Sequence, residues 1–220
     1  IGIGTDTYES GVGAVSIGTQ AGFTGQGNYS ISIGNSSGEN NQGNYSIAIG
    51  RQSGFTGQGI YSISIGDKAG NVGQGNDSIA IGVNSGQIAQ EDNTVSIGKN
   101  SGSNSQKNGA IAIGLGAGNT SQGIQGIAIG HYAGHYLQTQ TCIAIGSLAG
   151  RNLQGDTSIA IGYNAGNSFQ GNYSVAICSE AGFKNQSNFS LAIGKKSGYT
   201  GQGTNSIAIG DNGSQTLDLT

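Results

Sequence analysis

The sequence has no proline, methionine or tryptophan, and charged residues make up only 9% of its 220 residues, against roughly 25% in ordinary globular proteins. Disordered chains are usually rich in charge and proline, so the scarcity of both argues against disorder. Eight scattered basic residues and a net charge of −3 exclude the basic footprint of a nucleic-acid-binding protein. No apolar run approaches the roughly 20 residues that a membrane-spanning helix needs.

Cysteine is also scarce, with one residue at Cys142 and one at Cys178. They occupy different places in the repeat described below, about two coils apart, so a disulfide is not expected at a spacing of about 4.8 Å per coil. Glycine, in contrast, is abundant, with 44 residues. It follows no triplet period, which excludes a collagen triple helix.

A pentapeptide, Ser-Ile-Ala-Ile-Gly, organises the chain and recurs at residues 46–50, 78–82, 158–162 and 206–210. The underlying period is 16 residues. Numbering the unit from its first aliphatic residue gives a small residue at position 2, isoleucine at 3, glycine at 4 (Cys178 excepted) and at 8, glutamine at 12 and usually serine at 16. Units open at Val15, Ile31, Ile47, Ile63, Ile79, Val95, Ile111, Ile127, Ile143, Ile159, Val175, Leu191 and Ile207.

This unit predicts an all-β, parallel β-solenoid with one 16-residue repeat per coil. Several glycines per unit disfavour a helix, whereas β-branched residues alternating with small ones indicate a short strand. Identical units then stack so that each strand pairs in parallel with its copies. We expect a repeat domain over residues 1–210, with a partial first coil at 1–14 and complete coils from 15. Residues 211–220 lose the pattern, with Ser214 in place of the glycine and Asp218 in place of the glutamine, and are expected to form a cap or a linker to a missing domain.

Alternation in the strand assigns the side chains of positions 1 and 3 to one face and that of position 2 to the other. We expect the isoleucines inside, in two aliphatic stacks. Glutamine at position 12 is expected inside as well, where stacked amides can bond along the stack or satisfy backbone groups. The predicted core includes Ile49, Ile81, Ile113, Ile145, Ile161, Gln58, Gln74, Gln122 and Gln154.

Position 2 is only ever alanine or serine, although a face in water could carry larger polar residues. Together with the thinness of a single coil, which buries little surface, this predicts that position 2 packs against another copy of the chain. The interpretation is a homotrimer packed along the solenoid axis. Its predicted interface residues are Ala48, Ala80, Ala112, Ala128, Ala144 and Ala160.

The unit S-[IV]-[AS]-I-G-x-x-[AS]-G resembles the head repeats of YadA-like trimeric autotransporter adhesins, which run S-V-A-I-G-x-x-A. That resemblance implies a left-handed parallel β-roll with three chains side by side. The 16-residue unit with its Gln-Gly return is longer than the usual bacterial one. In this respect residues 79–94 and 159–174 look more like repeat arrays in surface proteins of large algal DNA viruses, such as the chlorella viruses, and in some phage tail fibres. This second resemblance implies host attachment.

No catalytic constellation emerges, so the chain is not expected to be an enzyme, and no metal or cofactor is predicted. His131 and His135 share one coil with Tyr132 and Tyr136. Two histidines without a carboxylate or cysteine are a weak metal signal, whereas an aromatic patch could stack on a sugar. Tyr132, His135 and Tyr136 are therefore the candidate ligand-binding residues. The alternative is that these and the other aromatic residues pack over the coil or at a subunit seam.

The resulting hypothesis is a rigid trimeric rod on a virion surface that attaches to a host cell-surface polysaccharide or glycan through many weak contacts. The first alternative is the head of a bacterial trimeric autotransporter adhesin, located on the bacterial cell surface. Further alternatives are a purely structural spacer and an ice-binding solenoid. Neither nucleic acid binding nor membrane insertion is expected of this segment.

Overall fold

The computed structural model describes residues 1–4, 11–213 and 216–218. Two compact units, Ile1–Gly109 and Ala110–Thr220, make up the chain. Each unit is a stack of parallel β coils, with two short strands in a typical coil. The predicted all-β parallel solenoid of 16-residue coils, about 13 in all, is thereby confirmed.

In the first unit, the odd return strands and the even isoleucine strands form two parallel sheets. The strands are β1 (Gly2–Ile3), β2 (Val15–Ile17), β3 (Thr24–Gln26), β4 (Ile31–Ile33), β5 (Asn40–Gln42), β6 (Ile47–Ile49), β7 (Thr56–Gln58), β8 (Ile63–Ile65), β9 (Val72–Gln74), β10 (Ile79–Ile81), β11 (Ile88–Gln90), β12 (Val95–Ile97) and β13 (Asn104–Gln106). In this unit β1 is the exception, because it belongs to the isoleucine sheet despite its odd number.

The second unit repeats this plan and ends differently. Its strands are β14 (Ile111–Ile113), β15 (Thr120–Gln122), β16 (Ile127–Ile129), β17 (Tyr136–Gln138), β18 (Ile143–Ile145), β19 (Asn152–Gln154), β20 (Ile159–Ile161), β21 (Ser168–Gln170), β22 (Val175–Ile177), β23 (Lys184–Gln186), β24 (Leu191–Ile193), β25 (Ser206–Ile209) and β26 (Thr216–Asp218). A 3-10 turn at Asp211–Gly213 precedes β26, which pairs antiparallel with β25. An antiparallel strand at this place ends the parallel stacking and covers a sheet edge that would otherwise be open.

Within each unit the strands pair in register, one repeat apart. Ala80 lies opposite Ser96 in the isoleucine sheet, and Gln90 lies opposite Gln106 in the return sheet. The first step is the exception, because Ile3 pairs with Ile17, a spacing of 14 residues. A strict 16-residue period predicts that Ile1 lies opposite Ile17, and that prediction is wrong at this one step. The predicted partial first coil and the predicted cap both extend into residues outside the described ones.

The interior of each coil is narrow, and it is filled by the small residues. Ala48, Ala80, Ala112, Ala128, Ala144 and Ala160 are all 0% exposed within the single chain. In the second unit they join the alanines of position 7, including Ala117 and Ala133, in one buried cluster. The prediction that position 2 faces outward to another chain was therefore wrong.

The physical reason is the absence of space between the two sheets. A Cβ added to Gly86 would lie 3.2 Å from the Ala80 methyl carbon and 2.6 Å from Gln90 Oε1. An isoleucine pointing into such a coil would overlap both groups, since protein interiors are already close-packed. The larger side chains of positions 1 and 3 must therefore point outward.

The isoleucine columns accordingly form an outer face on each unit, which we call the isoleucine face. Ile49, Ile81, Ile113 and Ile161 are half-buried, and Ile145 is 37% exposed. Their assignment to the interior was wrong. The face is continuous along the stack of each unit, because every coil contributes one aliphatic residue at position 1 and one isoleucine at position 3.

The structure places the position 12 glutamines inside, and each spans its coil. Gln58, Gln74, Gln122 and Gln154 are at most 3% exposed. Each side-chain Nε2 donates a hydrogen bond to the position 1 carbonyl of the same coil, over 2.7–3.0 Å. The amide thus ties the return sheet to the isoleucine sheet, and it satisfies a buried carbonyl in doing so.

Two further findings bear on function. Cys142 is buried, Cys178 is exposed, and both are free thiols. Over the described residues, the chain has no helix long and apolar enough to cross a membrane.

Candidate functional site

Besides the glycines of position 8, three positions of each coil hold the backbone in the left-handed region, and the side chains they carry project from the solenoid. These are positions 6, 11 and 15, with φ between about 50° and 61° for most of the residues that occupy them. Asparagine and glycine adopt this conformation most easily, and large side chains adopt it at a cost. Bulky apolar residues at these positions are therefore the ones to inspect for function.

The predicted candidate residues lie together on the coil that opens at Ile127. Ring centroids are 4.7 Å apart for Tyr132 and His135 and 4.0 Å apart for His135 and Tyr136, all edge to face. His131 joins from the other side, 4.4 Å from Tyr132. We call these four residues the aromatic cluster.

The cluster is packed against the coil more than it is open to a ligand. A Cβ on Gly116 would lie 2.5 Å from the Tyr132 ring, so that ring rests on the glycine of the preceding coil. His135 is only 7% exposed. Burial and the nearby Arg151 guanidinium lower the pKa of His135, which favours its neutral form. Among the described residues, no group of three or more histidine, cysteine, aspartate or glutamate residues could hold a metal ion.

The aromatic side chains at position 15 form ladders. Tyr29, Tyr45 and Tyr61 stack at 5.4 and 5.1 Å between centroids, with their planes within 13° of parallel. Tyr173 and Phe189 stack in the same way at 5.1 Å. Stacking covers the ring faces and leaves edges outward, so these ladders offer little face area on which a sugar could stack.

A groove that sequence reasoning missed lies beside the aromatic cluster in the second unit. Its volume is about 470 Å³. Leu137, Leu153 and Phe169 occupy position 11 of three consecutive coils and form an apolar wall. They are 49%, 39% and 54% exposed. We call this feature the Leu-Phe groove.

The other parts of the groove are polar and uncharged. Gly155 and Gly171 line it at position 13, and Thr139, Asn188 and Thr204 contribute side chains with hydrogen-bonding groups. Of the described residues that line the groove, none carries a charge. An open trough with one apolar wall and several neutral hydrogen-bonding groups suits a neutral, amphipathic ligand.

A sequence signal for this groove existed in the repeat itself. At position 11 the other complete coils carry glycine, alanine, serine or asparagine. The two leucines and the phenylalanine break that column on three successive coils. Only the fold shows that the column faces outward and that its neighbours at position 13 leave a trough.

Three segments of the chain, residues 74–101, 154–177 and 202–212, match the YadA head domain repeat family. Together they cover less than a third of the 220 residues. Each includes part of the strand-and-corner motif by which the repeat was recognised above. No match was found among curated proteins.

Proposed function

We propose that this chain is a head segment of a trimeric adhesin on a bacterial cell surface. The proposal is supported by the matches to YadA head domain repeats together with the outward-facing isoleucine face. In this proposal the solenoid is left-handed, three chains lie side by side, and the rod carries adhesive surfaces without catalysing a reaction. The viral attachment role gains no support from the family match and is not taken further.

The isoleucine face is the observation that carries the assembly. A monomeric soluble protein rarely exposes a large continuous apolar patch, and such patches usually mark an interaction surface. Here the fold forces the isoleucines out, because the interior has space only for alanine, serine and the glutamine amide. Burying these columns against two other copies of the chain would remove their exposed part from water. Because the side chains are already half-buried in the single chain, each would contribute about 1 kcal/mol, less than the 1.5–3 kcal/mol of a side chain buried from full exposure.

The assembly can be tested by light scattering on the purified chain. We expect a mass three times the 21.9 kDa of one chain. The double variant Ile129→Asn/Ile145→Asn places two polar groups on the isoleucine face and should yield monomers. Tyr163→Asn/Tyr173→Asn, which changes two exposed aromatic residues elsewhere on the same unit, serves as the matched control and should stay trimeric.

A monomeric parent chain would overturn the trimer, and so would equal assembly of the two double variants. The adhesive role needs a separate experiment, in which beads coated with the chain are tested for attachment to cell monolayers and to immobilised glycans. Trimers that attach to neither surface would show that the segment is a spacer. Thermal hysteresis of freezing would instead favour ice binding.

A further inference from the structure

We propose that the Leu-Phe groove binds a segment of a neutral glycan, an inference that rests on the adhesive function proposed above and names its ligand class. The ligand would lie along the solenoid axis, with the apolar face of its sugar rings on Leu137, Leu153 and Phe169. Its hydroxyl groups would face Thr139, Asn188 and Thr204.

The groove exists because two columns differ in height. At position 13, a Cβ on Gly155 would lie 2.5 Å from Asn172 Oδ1, and one on Gly171 would lie 2.5 Å from the backbone nitrogen of Asn188. At these two coils the close approach of the next coil leaves no space for a side chain, so the middle of the column is flat, while Thr139 and Ser187 occupy position 13 at its two ends. At position 11 the large side chains of three coils rise beside it. Where position 11 is glycine or asparagine, no comparable apolar wall can form.

The fold does not require the apolar wall. Leu137, Leu153 and Phe169 have φ values of 53°, 53° and 58°, a backbone conformation that disfavours large side chains. Their side chains stay substantially exposed, so little burial compensates for that strain. Asn185 occupies the same position in the following coil with a φ of 55°. Large residues kept at a strained, exposed position point to a binding role.

The polar groups of the groove favour a sugar over a peptide. Bound extended peptides usually gain affinity from main-chain hydrogen bonds to a sheet edge. Here the backbone lining the groove is already paired from coil to coil, with the Gly155 N–H donating to the Gln170 carbonyl at 2.8 Å and the Gly171 N–H donating to the Gln186 carbonyl at 2.7 Å. Recognition is therefore left to side chains, which suits a ligand that carries many hydroxyl groups.

Asn188 illustrates how such a side chain is fixed in place. Its Oδ1 accepts a hydrogen bond from the Asn172 N–H at 2.9 Å. That bond fixes the amide and leaves its NH₂ group as a donor for a sugar hydroxyl. Because the groove has uncharged walls, an acidic or basic ligand would lose hydration without gaining an opposite charge.

The experiment uses the whole chain and a panel of neutral linear oligosaccharides: maltohexaose, cellohexaose, chitohexaose and poly-N-acetyllactosamine. Sulfated and sialylated glycans and a library of extended peptides are included for comparison. We expect binding to at least one neutral sugar. Leu153→Asn and Phe169→Asn should each weaken that binding about tenfold or more, the loss expected when one aromatic or apolar contact is removed.

The matched control is Tyr173→Asn, which removes an equally exposed aromatic residue with the same backbone conformation from the same coil, outside the groove. It should bind as the parent chain does. Both groove variants should melt at the same temperature as the parent or higher, because asparagine tolerates the left-handed backbone. Loss of binding can then not be ascribed to unfolding.

Several outcomes would overturn the proposal: no binding to any neutral sugar, stronger binding to charged glycans or peptides, or equal affinity in Phe169→Asn and the parent. Dissociation of Phe169→Asn into monomers would assign the groove to a subunit seam instead. If trimers and cell attachment persist without sugar binding, only the groove assignment fails. If sugar binds to a chain that neither trimerises nor attaches to cells, only the proposed function fails.

Discussion

Where position 2 is serine, its hydroxyl donates a hydrogen bond to the buried glutamine of the same coil. Ser64 Oγ donates to Gln74 Oε1 at 2.6 Å, while Gln74 Nε2 donates to the Ile63 carbonyl at 3.0 Å. In the preceding coil, Ala48 replaces serine. Gln58 keeps its bond to the Ile47 carbonyl at 2.8 Å, but its Oε1 has no partner among the described residues.

The same difference recurs along the chain. Gln26, Gln42 and Gln106 also accept from a position 2 serine, at 2.5–2.6 Å. Buried glutamine oxygens without a partner in the described part of the chain all belong to coils with alanine at position 2. They are those of Gln58, Gln90, Gln138, Gln170, Gln186 and Gln202. A position 2 hydroxyl therefore supplies one partner to the glutamine oxygen, although it is not the only source of one: in the coil with Ala144, Gln154 Oε1 accepts from Gln138 Nε2 at 3.1 Å.

We predict that Ser64→Ala lowers the free energy of unfolding by about 1–3 kcal/mol, the cost of leaving a buried acceptor unsatisfied. Conversely, Ala48→Ser should raise it by about 0.5–1.5 kcal/mol, the net value of a new hydrogen bond. There is space for the new hydroxyl. A Cβ on Gly70 would overlap the Ser64 hydroxyl, and Gly54 leaves the same space open beside Ala48.

The assay is equilibrium unfolding in guanidinium chloride, comparing transition midpoints at constant slope. Ala48 and Ser64 are paired neighbours in the isoleucine sheet, so the double variant Ala48→Ser/Ser64→Ala exchanges the two coils and should lie close to the parent. Because both side chains are inside the coil, trimer formation should not change. The reasoning would be refuted if Ser64→Ala left the free energy of unfolding unchanged, or if Ala48→Ser lowered it.

Two further predictions concern titration and packing. Because the pKa of His135 is lowered in the folded chain, the unfolded chain takes up a proton first as pH falls; stability should be full above about pH 6.5 and decline below it through the lowered pKa. Denaturant midpoints at pH 7.5 and 5.5 should show this decline. The variant His135→Asn should remove it, and asparagine already occupies the same position of the repeat at Asn167. The control variant His131→Asn should keep the decline. Gly86→Ala should cost about 1–3 kcal/mol more than Gly73→Ala, since both glycines have positive φ but only the first would place its Cβ against Gln90 and Ala80. Equal midpoints for these two variants would show that the coil interior can expand.

The sequence by itself determined the architecture. A 16-residue period with glycine at fixed places and a three-residue strand leaves a stack of parallel coils as the solution, because identical units can pair only with copies of themselves in register. It also determined that the glutamine of position 12, which recurs from coil to coil, has a structural role and does not belong to a single functional site. The resemblance carried by Ser-Ile-Ala-Ile-Gly led to the family that three segments of the chain match.

Only the tertiary structure decided which side of the strand is the inside. Alternation with a period of two places Ile79 and Ile81 on one face of the strand and Ala80 on the other, but it does not say which face points into the coil. The usual assumption that the larger apolar residues are inside fails here, because a coil closed by Gly86 and spanned by Gln90 has space at position 2 for a side chain no larger than that of alanine or serine. The isoleucines are thereby placed on the surface.

The Leu-Phe groove was beyond the sequence for a related reason. Leu137, Leu153 and Phe169 are separated by 16 residues each, and their spacing alone says only that they stack. Whether this column lies over the core or beside the flat surface at Gly155 and Gly171 depends on how the backbone bends at positions 11 and 13. Those bends arise from the packing of each coil on the next, so the trough they create exists only in the folded stack.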